Sequence, residues 1–157
     1  MISHDFLEVP GIRYWHLSGE VDLDESIEAF VAVRAAGGLA ADMTRPVVFD
    51  MRETDMARFT GEDMRRYSAR LKALGFGETG SLAAYVVSND TNFGMMRMSA
   101  TYFELSGVRK QENTIVTLDI SEAAEWVIAR AGIAIEHQDA VRRFLLRVPG
   151  EESCETT

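Results

Sequence analysis

Three groups of residues have types and spacings that suit chemistry. The first is the single hydroxyl of Thr60 in "RFTGED". A phosphate carried there would meet the positive end of the helix that begins at this point, which favours it. It would also meet the carboxylates of Glu62 and Asp63 in the same turn, which oppose it. The competing role is a helix cap. The hydroxyl is placed to accept from the backbone N–H of Asp63, and Phe59 and Met64 stand at the two positions of a hydrophobic staple. The second group is polar. Asp50 and Arg52 lie two apart on one strand and share a face. Asp90 and Asn92 follow the next strand, and Asp119 the last. At the carboxyl ends of parallel strands these five residues would line a polar crevice, the usual ligand position in open α/β sheets. Alternatively they cap helices and hold strand ends, an Asp50–Arg52 pair at the surface contributing little. The third group is apolar. A helix over 93–105 has one stripe of Phe93, Met96, Ala100 and Phe103 and a second of Met95, Met98, Tyr102 and Leu105. With Phe144 and Leu145 of a later helix, the second stripe would form a dimer seam or the wall of a pocket for a small apolar ligand. The competing reading is a core helix covered by the C-terminal helix.

Strands and helices must alternate to bring these residues together. "IRYWHLSG" alternates, with Ile12, Tyr14 and His16 on one side and Arg13, Trp15 and Leu17 on the other. Preceded by "VPG" and "ISHDFLEV", it predicts an N-terminal antiparallel hairpin. "DESIEAFVAVRAAGG" reads as a helix capped by Asp24 and stopped at Gly37 and Gly38. "VVFDM" and "LAAYVV" are short apolar runs of the kind buried on both faces of a parallel sheet. The amphipathic "TGEDMRRYSARLKALG" lies between them. "TIVTL" adds a last strand, and "SEAAEWVIARAG" a helix capped by Ser121. The order predicts an α/β fold with a mixed, mostly parallel sheet packed with helices. Residues 1–132 form one domain. A C-terminal helix over 133–149 follows, with Val141, Phe144, Leu145 and Val148 on one stripe, and 150–157 is expected to be a disordered tail.

Composition sets the bounds. A chain of 157 residues, 46% hydrophobic and 26% charged, is one ordinary domain that folds without disulfide or metal. Its net charge of −9 argues against nucleic acid or an anionic membrane as partner. The one cysteine, Cys154, permits no internal disulfide. "MISHDFLEVPG" has neither region of a signal peptide, and no apolar run reaches the length of a membrane span, so a cytoplasmic protein is expected. His4, His16 and His137 show no ligand spacing, which speaks against a metal site, and no cofactor motif is present. "GFGETG" over 75–80 follows a helix and precedes a strand, the wrong order for a phosphate cradle. A receiver-type phospho-acceptor domain is rejected, because no acidic pair follows the first strand and Lys72 and Lys110 are misplaced.

Over roughly residues 12 to 130 the chain resembles a STAS-type domain. The likeness is carried by "LSGEVDL", "VVFDMRETDMARFTG", "AAYVVSND" and "IVTLDISEAAEWV". "FGMMRM" and "DISEAAEWV" make it similar in particular to the small bacterial SpoIIAA-like (STAS/SEC14-like) proteins. In the signalling antagonists of that family, a strand ending Leu-Asp-Leu is followed by a connection ending Asp-Ser-Ser-Gly, whose second serine is phosphorylated. Asp50 matches the strand aspartate, Thr60 that serine and Gly61 the glycine, while Arg58 and Phe59 replace the Asp-Ser. The resemblance implies a non-enzymatic protein-interaction module of a regulatory pathway, here expected to form a homodimer. The second expectation is a carrier or sensor of a small apolar ligand, and the third a hydrolase built on the carboxylates.

Overall fold

A computed structural model describes residues 1–77 and 79–147. Val148, Cys154 and the expected tail lie outside the described residues. Strands β1 (Ile2–Leu7) and β2 (Ile12–Gly19) form the antiparallel hairpin. Then come α1 (Leu23–Ala36), β3 (Val47–Thr54), α2 (Gly61–Ala73), β4 (Ala83–Val86), α3 (Asp90–Leu105), β5 (Thr114–Thr117), α4 (Ile120–Arg130) and α5 (Ile135–Leu146). The sheet order is β1-β2-β3-β4-β5, with β2 to β5 mutually parallel. The expected α/β architecture is therefore present. Among the described residues no helix is long and apolar enough to cross a membrane.

Each parallel strand sits beside the one before it, and right-handed crossovers that all step the same way place their helices on one face. That face packs Trp15, Leu17, Val47, Met51, Ala83 and Tyr85 against Ile27, Leu71, Met96 and Phe103 of α1, α2 and α3. Alternate strand residues turn to the other face. There Ile12, Tyr14, Val48, Ala84 and Val86 meet Ala123, Ala124 and Val127 of α4 and Val141 and Leu145 of α5. The α4–α5 pair is also clipped on its outside, where Arg142 grips Glu125 and Asp139.

The helix starts differ in detail from those expected. Asp22, in extended backbone, caps α1 by accepting from the N–H groups of Asp24 and Glu25. Asp24 falls inside the helix and pairs with Arg70 of α2 instead. Asn89 caps α3, which gives that helix three more residues than its apolar pattern shows. Asp119 caps α4 by accepting from Ser121 N at 2.8 Å, so Ser121 is a donor there and not the cap. In each case a short polar side chain two or more residues upstream of the expected start reaches the unpaired first-turn donors.

The second stripe of α3 is covered in part, by α2, and its Met95, Met98 and Tyr102 are half-buried. A Cβ on Gly61 would come within 3.2 Å of Tyr102 Oη and 3.6 Å of Met98 Sδ, so the N-terminus of α2 lies over both side chains. Met95 packs on the core of the same face. Leu105 is the most exposed of the stripe, at 77%. Helix α5 takes no part in this cover. Leu145 is buried and Phe144 packs edge-on to Tyr14 with centroids 6.0 Å apart, on the far side of the sheet. The expectation that Phe144 and Leu145 share one surface with Met98 and Tyr102 is corrected accordingly. After β5 the chain turns under the sheet, and α4 carries α5 to the opposite face.

Candidate functional site

The α1–α3 layer does not close completely on the sheet. Between them lies a cavity of about 130 Å³. Its walls are mostly aromatic and methionine side chains. Trp15 meets Phe30 edge-on at 4.8 Å, and Phe49 stacks on Tyr85 at 4.9 Å with the rings 6° from parallel. Phe103, Met51, Met56, Met64 and Met96 complete much of the surface. Alternation on β2 puts Arg13, Trp15 and Leu17 on this side, and all three line the cavity. At 3.3 Å per residue they extend it over about 13 Å. The rings of Trp15, Phe30, Phe49 and Tyr85 pack edge to face and offset, the geometries rings prefer.

A few polar groups break the apolar wall. Ser26 Oγ and Tyr67 Oη lie 2.9 Å apart, and Ser26 Oγ also donates to the Leu23 carbonyl at 2.9 Å. Burial pushes the Tyr67 hydroxyl well above its ordinary range, so it stays protonated. At the amino-terminal end of the strands, Arg109 Nη1 donates to Tyr85 Oη at 2.9 Å. Burial raises the Tyr85 hydroxyl too, against the pull of Arg109. Arg13 lies at the same end and is 8% exposed. Its Nε and Nη2 donate to the carbonyl of Arg45 at 3.1 and 2.7 Å, and Nη2 also reaches that of Met43 at 3.3 Å. Burial, and then the neighbouring charge of Arg109, bring its pKa down to about 10, against the pull of Asp42. It is still a cation at neutral pH.

At the other end the cavity meets a polar cleft between the N-terminal turns of α1 and α2. Val21, Leu23, Phe59 and Tyr67 line both. Arg70 pairs with Asp24 across this cleft, and Arg58 with Glu20 at 3.5 Å. Arg58 also donates to the carbonyl of Val21. These links tie the β3–α2 connection and α2 to the start of α1. No family model, curated protein or solved structure matches the chain.

The polar residues singled out in the sequence are dispersed. Asp50 is 1% exposed and sits on the α4–α5 side, where Tyr14 Oη donates to it at 2.8 Å. Arg52 grips it with two bonds, Nε at 2.9 Å and Nη2 at 2.8 Å. The pair is thus built around a buried carboxylate and is not a surface bridge. Burial raises the Asp50 carboxyl, but the bonds from Arg52 and Tyr14 and the charge of Arg52 outweigh it, leaving the group below the usual range. Asn92 is fully buried. Its Oδ1 accepts from Met56 N and its Nδ2 donates to the carbonyl of Thr54, both at 3.0 Å, which pins α3 to the end of β3. Asp119 is the α4 cap, and Asp90 is an exposed residue of the first turn of α3. No hydrogen bond or ion pair among the described residues joins the Asp50–Arg52 pair to Asp90, Asn92 or Asp119.

Thr60 is a cap in full geometry. Its Oγ1 accepts from Asp63 N at 3.1 Å, and Asp63 Oδ2 accepts from Thr60 N at 2.9 Å, closing a capping box. The hydroxyl oxygen that a phosphate would occupy is engaged with the helix start. None of Met95, Met98, Tyr102, Leu105, Phe144 and Leu145, the residues expected to wall an apolar pocket, lines this cavity, and sequence reasoning singled out none of Arg13, Arg109, Phe49 and Tyr85, which do. Arg13 did leave a signal: it is a cation on the strand face otherwise formed by Trp15 and Leu17.

Proposed function

We propose that the protein is a non-enzymatic carrier or sensor that takes a small apolar ligand into the cavity under α1, α2 and α3. The observation that carries this reading is the cavity itself, a concave aromatic-and-methionine space with a few convergent polar groups, the usual character of a small-molecule site. Its 130 Å³ is close to the roughly 150 Å³ of an engineered apolar cavity that stays dry and takes up benzene. An apolar ligand there would gain dispersion contacts along the lining. Methionines around it supply adaptable walls. The interaction-module reading, which the STAS resemblance suggests, has less behind it. The connection that would present a phosphate is tied down at Thr60 by its capping box and at Arg58 by Glu20 and Val21.

Toluene and a cavity-filling variant test the proposal. Ser99 lines the space, is buried, and among the described residues bonds only to the Met95 carbonyl of its own helix, so its loss strands no distant partner there. Toluene should raise the melting temperature of the full chain with a saturating concentration dependence. Ser99→Leu should stay folded and lose that response. A wild-type protein whose melting temperature ignores toluene up to its solubility limit would overturn the proposal.

A further inference from the structure

We infer that the ligand of this cavity is an organic anion, a carboxylate on a slim apolar body, whose head lies between the guanidinium groups of Arg13 and Arg109 with the Tyr85 hydroxyl as a further donor. The inference rests on the reading of the cavity as a ligand site and adds the chemistry of its occupant.

Three observations at one end of the cavity carry it. The first is charge without a contact partner: Asp42 acts on Arg13 only from a distance and is itself bonded to Arg45. Buried cations are ordinarily paired with an anion. Arg13 is 8% exposed, yet its bonds go to the neutral carbonyls of Arg45 and Met43 and, through Nη1 at 3.4 Å, to Met43 Sδ. Among the described residues, no carboxylate lies within 4 Å of a guanidinium nitrogen of Arg13 or Arg109. The chain has 25 acidic residues and a net charge of −9, and it does pair Arg65, Arg66 and Arg142 on its surface. Arg34, Arg97, Arg130 and Arg143 also lack an ion pair among the described residues, but Arg13, 8% exposed, is the buried one, and Arg109 is half-buried beside it.

The second observation is spare donor capacity. A guanidinium offers five N–H groups and no acceptor. Arg13 Nη1 is matched only by a thioether, a weak acceptor, and Arg109 donates one described bond, to Tyr85. Tyr85 accepts that bond and, among the described residues, its own O–H reaches no acceptor. A carboxylate is acceptor-only, and Arg forks match its two oxygens. It would supply what this end lacks, and it would relieve the repulsion between two like charges held in a poorly solvated place.

The third is shape. The wall from Arg13 past Trp15 to Leu17 is about 13 Å long, while the free volume is only about 130 Å³. A small volume beside a wall of that length suits a medium-chain acyl group or a single ring with a short side chain, with the polar head at one end. The charged end lies at the amino-terminal ends of the strands, opposite the usual ligand position in an open α/β sheet.

Octanoate and octan-1-ol separate the claims, because they share a chain and differ in the charge of the head. The assay is calorimetric titration of the full chain at neutral pH and low salt, repeated with Arg109→Met, which keeps the apolar stem. Octanoate should bind at least about tenfold tighter than octan-1-ol, the scale of a charge-assisted hydrogen bond. That preference should shrink to within about twofold in Arg109→Met and weaken with added salt. Equal binding of the two by the wild-type protein overturns the anion and leaves the apolar cavity standing. Binding of neither, with no response to toluene, overturns both. Octanoate that still binds Ser99→Leu as tightly as wild type places it outside the cavity and also overturns the inference. Should Arg109→Met fail to fold, the wild-type ratio alone decides, and Tyr85→Phe, expected to lose part of the preference, replaces it.

Discussion

Replacing Arg52 by leucine should expose how the Asp50 carboxylate is held. In the native protein that carboxylate is 1% exposed and accepts from Tyr14 Oη, from Arg52 Nε and Nη2 and, at 3.3 Å, from Arg52 N. The variant removes the cation and two of the four bonds and leaves a buried charge. Stranding one member of a buried pair costs about 3–5 kcal/mol. The lower end applies here, because Tyr14 and the backbone N–H remain and the Arg52 side chain is 33% exposed. A loss of about 3 kcal/mol is a large part of a domain's stability, and the variant should still fold. The pH dependence carries the diagnosis. In the wild type, the Asp50 carboxyl is held below its ordinary value, so its contribution is present at neutral pH and fades as pH falls through the native pKa. In Arg52→Leu, burial is left dominant and the carboxyl rises above its ordinary value. Its protonated form is then the tolerated one, and stability is lost as pH climbs through that raised pKa. Urea unfolding followed by tryptophan fluorescence should show the full gap between the two proteins at pH about 7.5, narrowing toward pH about 4. Asp50→Asn combined with Arg52→Leu should recover at least half of the loss, since a neutral amide replaces the stranded charge. A gap of the same size at both pH values would refute this account of Asp50.

Two other positions give independent tests. Thr60→Ala should cost about 1 kcal/mol by losing the cap, while Thr60→Asp, itself a good cap, should match the wild type within a few tenths in the same urea titration; a neutral Thr60→Ala would mean the capping box contributes nothing in solution. Asn92→Ala strands the N–H of Met56 and the carbonyl of Thr54 in the interior and should cost about 2–4 kcal/mol, with amide exchange at Met56 accelerating more than at Val86; unchanged protection at Met56 would contradict the pinning role.

Much of the fold was legible because each strand announces its two faces. Ile12 and Tyr14 against Trp15 and Leu17 is a period of two that survives burial on both sides, and the structure sends the two sets to different helical layers. Helix starts were less legible. Asp22 and Asp24, or Asp119 and Ser121, are all good caps by type, and only the local backbone decides which reaches the free N–H groups. The cover of α3 was misjudged for a related reason. Its second stripe was counted against one sheet face, whereas the side-chain-free Gly61 lets α2 close over Met98 and Tyr102. The cavity was the least legible feature. Arg13 and Arg109 are far apart in the chain, and the register of β2, β3, β4 and β5 brings them to one end of the sheet. Each alone reads as a surface charge at an element boundary.

The sequential order of the strands has a consequence on the ribosome. Every parallel strand docks beside one already synthesised, so the sheet can grow as the chain emerges, and α1, α2 and α3 cover their own face as they come. The other face has no such escort. Ile12, Tyr14, Val48, Ala84 and Val86 are covered only by α4 and α5, which follow every strand in the chain. Through the seconds that synthesis of the intervening chain takes at about 5–20 residues per second, a nascent sheet presents a bare apolar plane. During that interval a holding chaperone, or the wrong neighbour, competes with α4 and α5 for the same surface.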